Sequence, residues 1–145
     1  TNNHAQVVRG FFDQMTESNP LIEIIELYEN VYYPDKLFDT LSEFLHTIVN
    51  ILGIYANNAR TTARVCTMVK DIGYQDKVTI IGSELFDESK EALKQGILNA
   101  IIDQNGYEQG YKGLSIAFDN IVLGNDVPTK HEINTSLILK NNLPL

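Results

Sequence analysis

Residues Ile51 to Asp103 read ILGIYANNARTTARVCTMVKDIGYQDKVTIIGSELFDESKEALKQGILNAIID, and this stretch decides the fold. ILGIYA (51–56) is a compact apolar run, the mark of a strand buried on both faces, and KVTIIG (77–82) and ILNAIID (97–103) read as further strands. Between them lie stretches with helix punctuation. Asn57-Asn58 can cap a helix over 59–72, which Gly73 ends in the left-handed region. Asp87-Glu88 opens a second helix over 86–95, and Gly96 ends it. Strand and helix in alternation imply right-handed βαβ units. The predicted class is α/β, a mostly parallel sheet flanked by helices.

Outward from this centre the reading continues upstream. Val7, Val8, Phe11, Phe12 and Met15 have helical spacing over His4–Ser18, and Asn19-Pro20 stops it. LIEIIELY, residues 21–28, is short and β-rich, so a strand is expected there. Pro34 suits the first turn of a further helix, with Asp35 and Asp39 near the positive end of its dipole. Leu37, Phe38, Leu41, Phe44, Leu45, Ile48 and Val49 form its apolar stripe. Downstream, Gly106–Leu123 reads as a long helix capped by Gly124. Residues 125–130 are a polar connection containing Pro128, and EINTSLILK, residues 132–140, is a last strand. The chain opens on a helix, where a domain of this kind normally opens on a central strand.

Composition narrows the classes. The 145 residues carry 11 basic and 19 acidic side chains, for a net charge of -8. With 43% hydrophobic and 21% charged residues, the balance is that of a folded domain. One cysteine, Cys66, excludes an internal disulfide and reads as core packing; a reduced, cytoplasmic setting is expected. No apolar run approaches the ~20 residues of a membrane span. The first residues have neither a basic nor an apolar signal-peptide region. The acidic balance argues against this segment gripping a nucleic-acid backbone by itself.

The chemistry-bearing motifs are absent. There is no dinucleotide or phosphate loop, no nucleophile elbow and no zinc-protease pair. Gly106, Gly110 and Gly113 have the wrong spacing for a dinucleotide loop and suit close helix packing. His4, His46 and His131 fall in different elements, with His46 expected on the solvent side of its helix. Asn134-Thr135-Ser136 matches a glycosylation sequon by a common triplet. Glu23, Glu26 and Glu29 read as a solvated edge, and Asp87 and Glu88 as dipole partners. No nucleophile, base and orienter can be assembled, so no enzyme, cofactor or metal site is expected.

The strand ends give a more coherent list. In open α/β sheets, ligands bind beyond the carboxyl ends of the strands. Those ends carry Asn57 and Asn58, then Ser83 and Glu84, then Gln104 and Asn105, with Tyr55 and Phe86 as apolar platforms. Amides and carboxylates offer donors and acceptors in fixed geometry, which suits vicinal hydroxyls. A phosphate would call for Lys, Arg or a glycine nest. The plainer reading weighs equally on pattern alone: Asn58 as an N-cap and Asn105-Gly106 as a turn.

The segment IIDQNGYEQGYKGLSIAFDNIV, residues 101–122, resembles the late region of LacI-type (lactose-repressor family) transcriptional regulators, which share their fold with type I periplasmic sugar-binding proteins. VTIIGSELFDESKEALKQG (78–96), IYANN (54–58), Arg9-Gly10-Phe11 and INTSLILKN (133–141) are similar to other family segments in the same order. The resemblance implies two hinged lobes closing on a sugar. This chain would be one lobe, lacking its first strand. Residues 1–104 would form the carboxyl-terminal lobe, 105–131 a helix and crossover packing on the amino-terminal lobe, and 132–145 the returning strand and tail. The resemblance places Asn58, Glu84 and Gln104 at sugar-contacting positions, with Asn57 and Ser83 beside them. Where the family often has an arginine, Val7 stands here, and Gln6 and Arg9 are the nearby candidates. Ala59 replaces a common acidic residue, and Glu84 is one methylene longer than the usual Asp. The implied function is effector sensing by a cytoplasmic, homodimeric regulator. DNA would be bound only through a separate headpiece. A periplasmic transport receptor is the alternative, and a small enzyme or metal protein the alternative from another class. Exposed apolar surface on the helix 106–123, through Leu114, Ile116, Phe118, Ile121 and Val122, is expected to drive dimerisation.

Overall fold

The computed structural model describes residues 2–28, 35–48 and 50–144, with side chains from residue 5 onward. The readings of Glu29, Pro34 and Val49 lie outside these residues. The chain divides into two compact units, residues 1–51 and 52–145.

The first unit holds α1 (Asn2–Ser18) and α2 (Lys36–Thr47). Asn19 continues the end of α1, its N–H donating to Met15 O at 2.9 Å. The expected strand over residues 21–28 does not form. Burial still alternates there, with Ile22 and Ile24 half-buried and Leu21, Glu23 and Ile25 exposed. The period is right, but no described strand pairs with it, and an unpaired strand leaves its ladder groups unsatisfied. In α2 the stripe holds through Leu37, Phe38, Leu41 and Leu45, all buried, while Ile48 is exposed. His46 is exposed, as its place on the helix predicts, and its Nδ1 lies 2.7 Å from Ser42 O.

The second unit is an α/β layer: β1 (Gly53–Tyr55), α3 (Ala59–Asp71), β2 (Thr79–Ser83), α4 (Asp87–Gln95), β3 (Ala100–Asp103), α5 (Gly106–Ile121) and β4 (Ser136–Ile138). The sheet order is β1-β2-β3-β4. β1, β2 and β3 run parallel, and β4 returns antiparallel to β3. The strands are shorter than the apolar runs that announce them. The leading residues of those runs, Val78, Ile97 and Leu98, are buried ahead of the ladder. The last strand shrinks most, from residues 132–140 to Ser136–Ile138, with only Ile138 buried.

Val65 and Val69 of α3, Ile80 of β2, Leu93 of α4, and Leu98 and Ile101 at β3 are almost fully buried and form the core. Cys66 is buried on the same stripe, and burial pushes its thiol up to about 11 by disfavouring the thiolate. Gly82 of β2 is a close approach: a Cβ there would overlap the Thr62 methyl of α3 and stand 3.2 Å from Leu98 Cδ1. The expected caps form. Gly73 and Gly96 take positive φ values of 70° and 77°.

Candidate functional site

Three parallel strands end at one edge of the sheet, and the chain after each carries polar side chains. Register fixes their level. Tyr55 pairs with Ile81, and Ser83 with Ile102. Beyond the ladder, Ala56 N–H donates to Ile81 O and Glu84 N–H to Ile102 O, both at 2.9 Å. The exits of β1 and β3 flank that of β2, about 10 Å apart at the usual strand spacing.

At the first exit, Asn58 caps α3, its side-chain oxygen accepting from Thr61 N–H at 2.9 Å. Its amide nitrogen lies 3.4 Å from Asn57 Oδ1. Both side chains are half-buried. Asn58 is therefore an N-cap, and its amide donors remain on the loop side with Asn57.

At the second exit, Ser83 is 3% exposed. Its hydroxyl donates to Ala56 O at 2.9 Å, and its N–H donates to Thr62 Oγ1 at 3.0 Å. Ser83 thus ties β2 to β1 rather than presenting a hydroxyl outward. Glu84 is exposed and has φ +71°, a left-handed conformation that costs a residue with a Cβ free energy. The strain is held by the ladder. Its N–H is bonded to Ile102 O at 2.9 Å, and Ser89 Oγ lies 3.1 Å from its carbonyl and 2.9 Å from Phe86 O, the shorter contact for the one hydroxyl proton. Ser89 Oγ also accepts from Phe86 N–H at 3.0 Å, which fixes the start of α4.

At the third exit, Asp103 Oδ1 accepts from Leu85 N–H at 3.4 Å and so links the second and third loops. Gln104 is half-buried, and its carbonyl accepts from Gln109 Nε2 at 2.7 Å. Asn105 takes φ +56° and caps α5. Asn58 is the cap expected of it, and Asn105, expected in a turn with Gly106, is instead the N-cap of α5.

The fold of the second unit brings Asn57, Asn58, Ser83, Glu84 and Gln104 to one edge. Gln6 and Arg9 belong to α1 in the first unit, where Arg9 is exposed and pairs with Asp13 at 3.6 Å. Sequence reasoning missed Thr62, Ser89 and Asp103. Thr62 had a signal, since it falls on the buried stripe of α3 with Val65, Cys66 and Val69. Chemically, the edge presents amides and a carboxylate, acceptors and donors without a built cation cluster, which suits hydroxyl groups. Among the described residues no group of three His, Cys, Asp or Glu side chains could hold a metal. No helix among them is long and apolar enough to cross a membrane.

Residues 1–126 match the family model described as periplasmic binding protein domain. The D-allose-binding periplasmic protein of Escherichia coli K12 is 27% identical over 93 residues, which cover 64% of this chain and 30% of that protein. Among solved structures, a carbohydrate transporter solute-binding protein from Agrobacterium radiobacter, in complex with D-arabinose, superposes with a TM-score of 0.80 at 22% identity. It covers 92% of this chain and 45% of that one. A LacI transcriptional regulator assigned in Bacteroides fragilis gives a TM-score of 0.77 at 19% identity, with coverage of 92% and 45%. These two show a shared fold. Transport solute-binding proteins predominate among the similar structures, and a regulator is among them. The chain spans less than half the length of each of these three relatives. Their names describe binding proteins and a regulator, not enzymes.

Proposed function

Because the chain belongs to the periplasmic binding protein domain family, we propose that it is the sugar-binding lobe of a two-lobed effector or solute receptor. One observation carries the reading. Three parallel strand ends deliver Asn57 and Asn58, Glu84, and Gln104 to the same edge, where amides and a carboxylate can pair with vicinal hydroxyls. Glu84 supports it further, because a strained backbone held in place by the bond from its N–H to Ile102 O is a device for aiming a side chain. Ser83 serves here as a positioning residue. Gln6 and Arg9 are the further candidates that the family resemblance offers.

The finer assignment is a cytoplasmic LacI-type regulator, homodimeric, with DNA bound through a separate headpiece. The string Asp103-Gln104 through Gln109-Gly110-Tyr111 supports it. Sugar closing two lobes would then shift the dimer between states of different DNA affinity. A transport receptor is supported equally, by the similarity to the D-allose-binding protein and by the solute-binding proteins among the similar folds. In both, residues 105–131 pack α5 against the amino-terminal lobe.

Two observations separate these readings. A helix-turn-helix encoded upstream selects the regulator, and a signal peptide selects the receptor. A thermal-shift panel of D-allose, D-arabinose and D-fucose on the full-length protein tests the shared claim. Stabilisation by at least one sugar is expected. A flat response to all three would contradict it.

A further inference from the structure

Thr62 lies in the first turn of α3, fully buried at the point where β1 leaves the sheet. Its hydroxyl has one proton and two lone pairs. The shortest contact, 2.8 Å, donates the proton to Asn58 O one turn back. A lone pair accepts from Ser83 N–H at 3.0 Å. The geometry explains why a side chain is used there. Ile81 O still meets a β1 donor, Ala56 N–H. Two residues on, Ser83 N–H points the same way, but β1 has turned into the Asn57-Asn58 loop. The Thr62 hydroxyl takes the place of the missing ladder carbonyl. Ser83 Oγ adds a second rung by donating to Ala56 O at 2.9 Å. The Thr62 methyl fills the space over Gly82 and leaves no room for a Cβ there.

Asn58 and Ser83 bracket the first two loops of the proposed sugar site. We infer that Thr62 is a positioning residue for that site: its hydroxyl joins the Asn58 carbonyl to the Ser83 amide, and so sets the spacing between the Asn57-Asn58 loop and Glu84. The inference rests on the proposed sugar-binding reading for its purpose, and on the hydrogen bonds alone for its mechanism. Thr62 touches no ligand in this account. It acts through the backbone of its neighbours.

The test compares Thr62→Val, which keeps the shape and loses the hydroxyl, with Thr62→Ser, which keeps the hydroxyl. Amide exchange is read by NMR on the full-length protein. In Thr62→Val the Ser83 amide is expected to exchange at least about tenfold faster, with shifts at Asn58 and Glu84, while Val69 and Ile80 keep their rates. Thr62→Ser restores Ser83. An unchanged Ser83 rate in Thr62→Val, or acceleration of Val69 and Ile80 by the same factor, overturns the inference. Should Thr62→Val not fold, Thr62→Ala removes the same hydroxyl with a smaller side chain. Faster exchange at Ser83 with Val69 and Ile80 unchanged then supports the tie, and an unchanged Ser83 rate overturns it. A parallel titration with D-allose reads the purpose. Perturbation of Asn58 and Glu84 in the wild type, weakened in Thr62→Val and restored in Thr62→Ser, supports positioning of a sugar site; equal perturbation in all three overturns it. No D-allose response in the wild type counts against the sugar reading, and the exchange experiment still decides the tie.

Discussion

At the scale of the residue, the second unit turns on a few contacts that no composition reveals. Gly82 is one. A Cβ would meet the Thr62 methyl and Leu98, both held in the core, so Gly82→Ala is expected to destabilise the protein by about 1–3 kcal/mol. Chemical denaturation would read this as a lower midpoint at unchanged slope. Cys66 is another. Burial favours its neutral thiol, raising its pKa from 9.0 to about 11. The unfolded chain ionises first, so this stabilisation is whole below pH 9 and is lost as pH rises towards about 11. Between those limits the wild type should lose stability more steeply than Cys66→Ala; equal slopes would contradict the burial effect. Sequence made Asn58 legible as both cap and ligand candidate, because Asn at a strand-to-helix junction has few other uses. It left the left-handed Glu84 invisible, since positive φ in a residue with a Cβ is imposed by neighbours. Ser83 looked like a ligand residue from its place after the strand, but its hydroxyl is taken by Ala56 O, a contact 27 positions away.

Elements were legible where a period met a partner. The helices α2 and α3 follow their apolar stripes, and α3, α4 and α5 end near their glycines. The central strands follow their apolar runs. Residues 21–28 show the limit, because alternation reports which face is buried and says nothing of whether a ladder partner exists. The helix α5 carries the clearest unsatisfied pattern. Tyr107, Tyr111, Leu114, Phe118 and Ile121 fall on one stripe and are all exposed, and α5 has no buried residue. Ile116, expected among the exposed set, is half-buried instead. A stripe of this length is larger than isolated surface hydrophobics explain. The 145-residue chain is expected to sediment as a dimer at high concentration, and Leu114→Lys with Phe118→Lys to return it to a monomer. A wild-type monomer at that concentration would contradict the expectation.

For the whole molecule, the α/β class and the parallel order of the central strands follow from alternation alone, since a right-handed crossover leaves few arrangements. The β4 direction required the structure. The site is a consequence of that topology: parallel strands point their carboxyl ends the same way, so residues far apart in sequence meet at one edge. The pattern picked out the loops that the topology brings to that edge. It did not identify the buried hydroxyls that hold them at register.

The claim that this edge binds a sugar is tested most directly by calorimetric titration of the full-length protein, wild type and Glu84→Ala, with D-allose, D-arabinose and D-fucose. Binding of at least one sugar, weakened at least about tenfold by loss of the aimed carboxylate, is the expected result. Binding of none, or equal binding by both proteins, would contradict it.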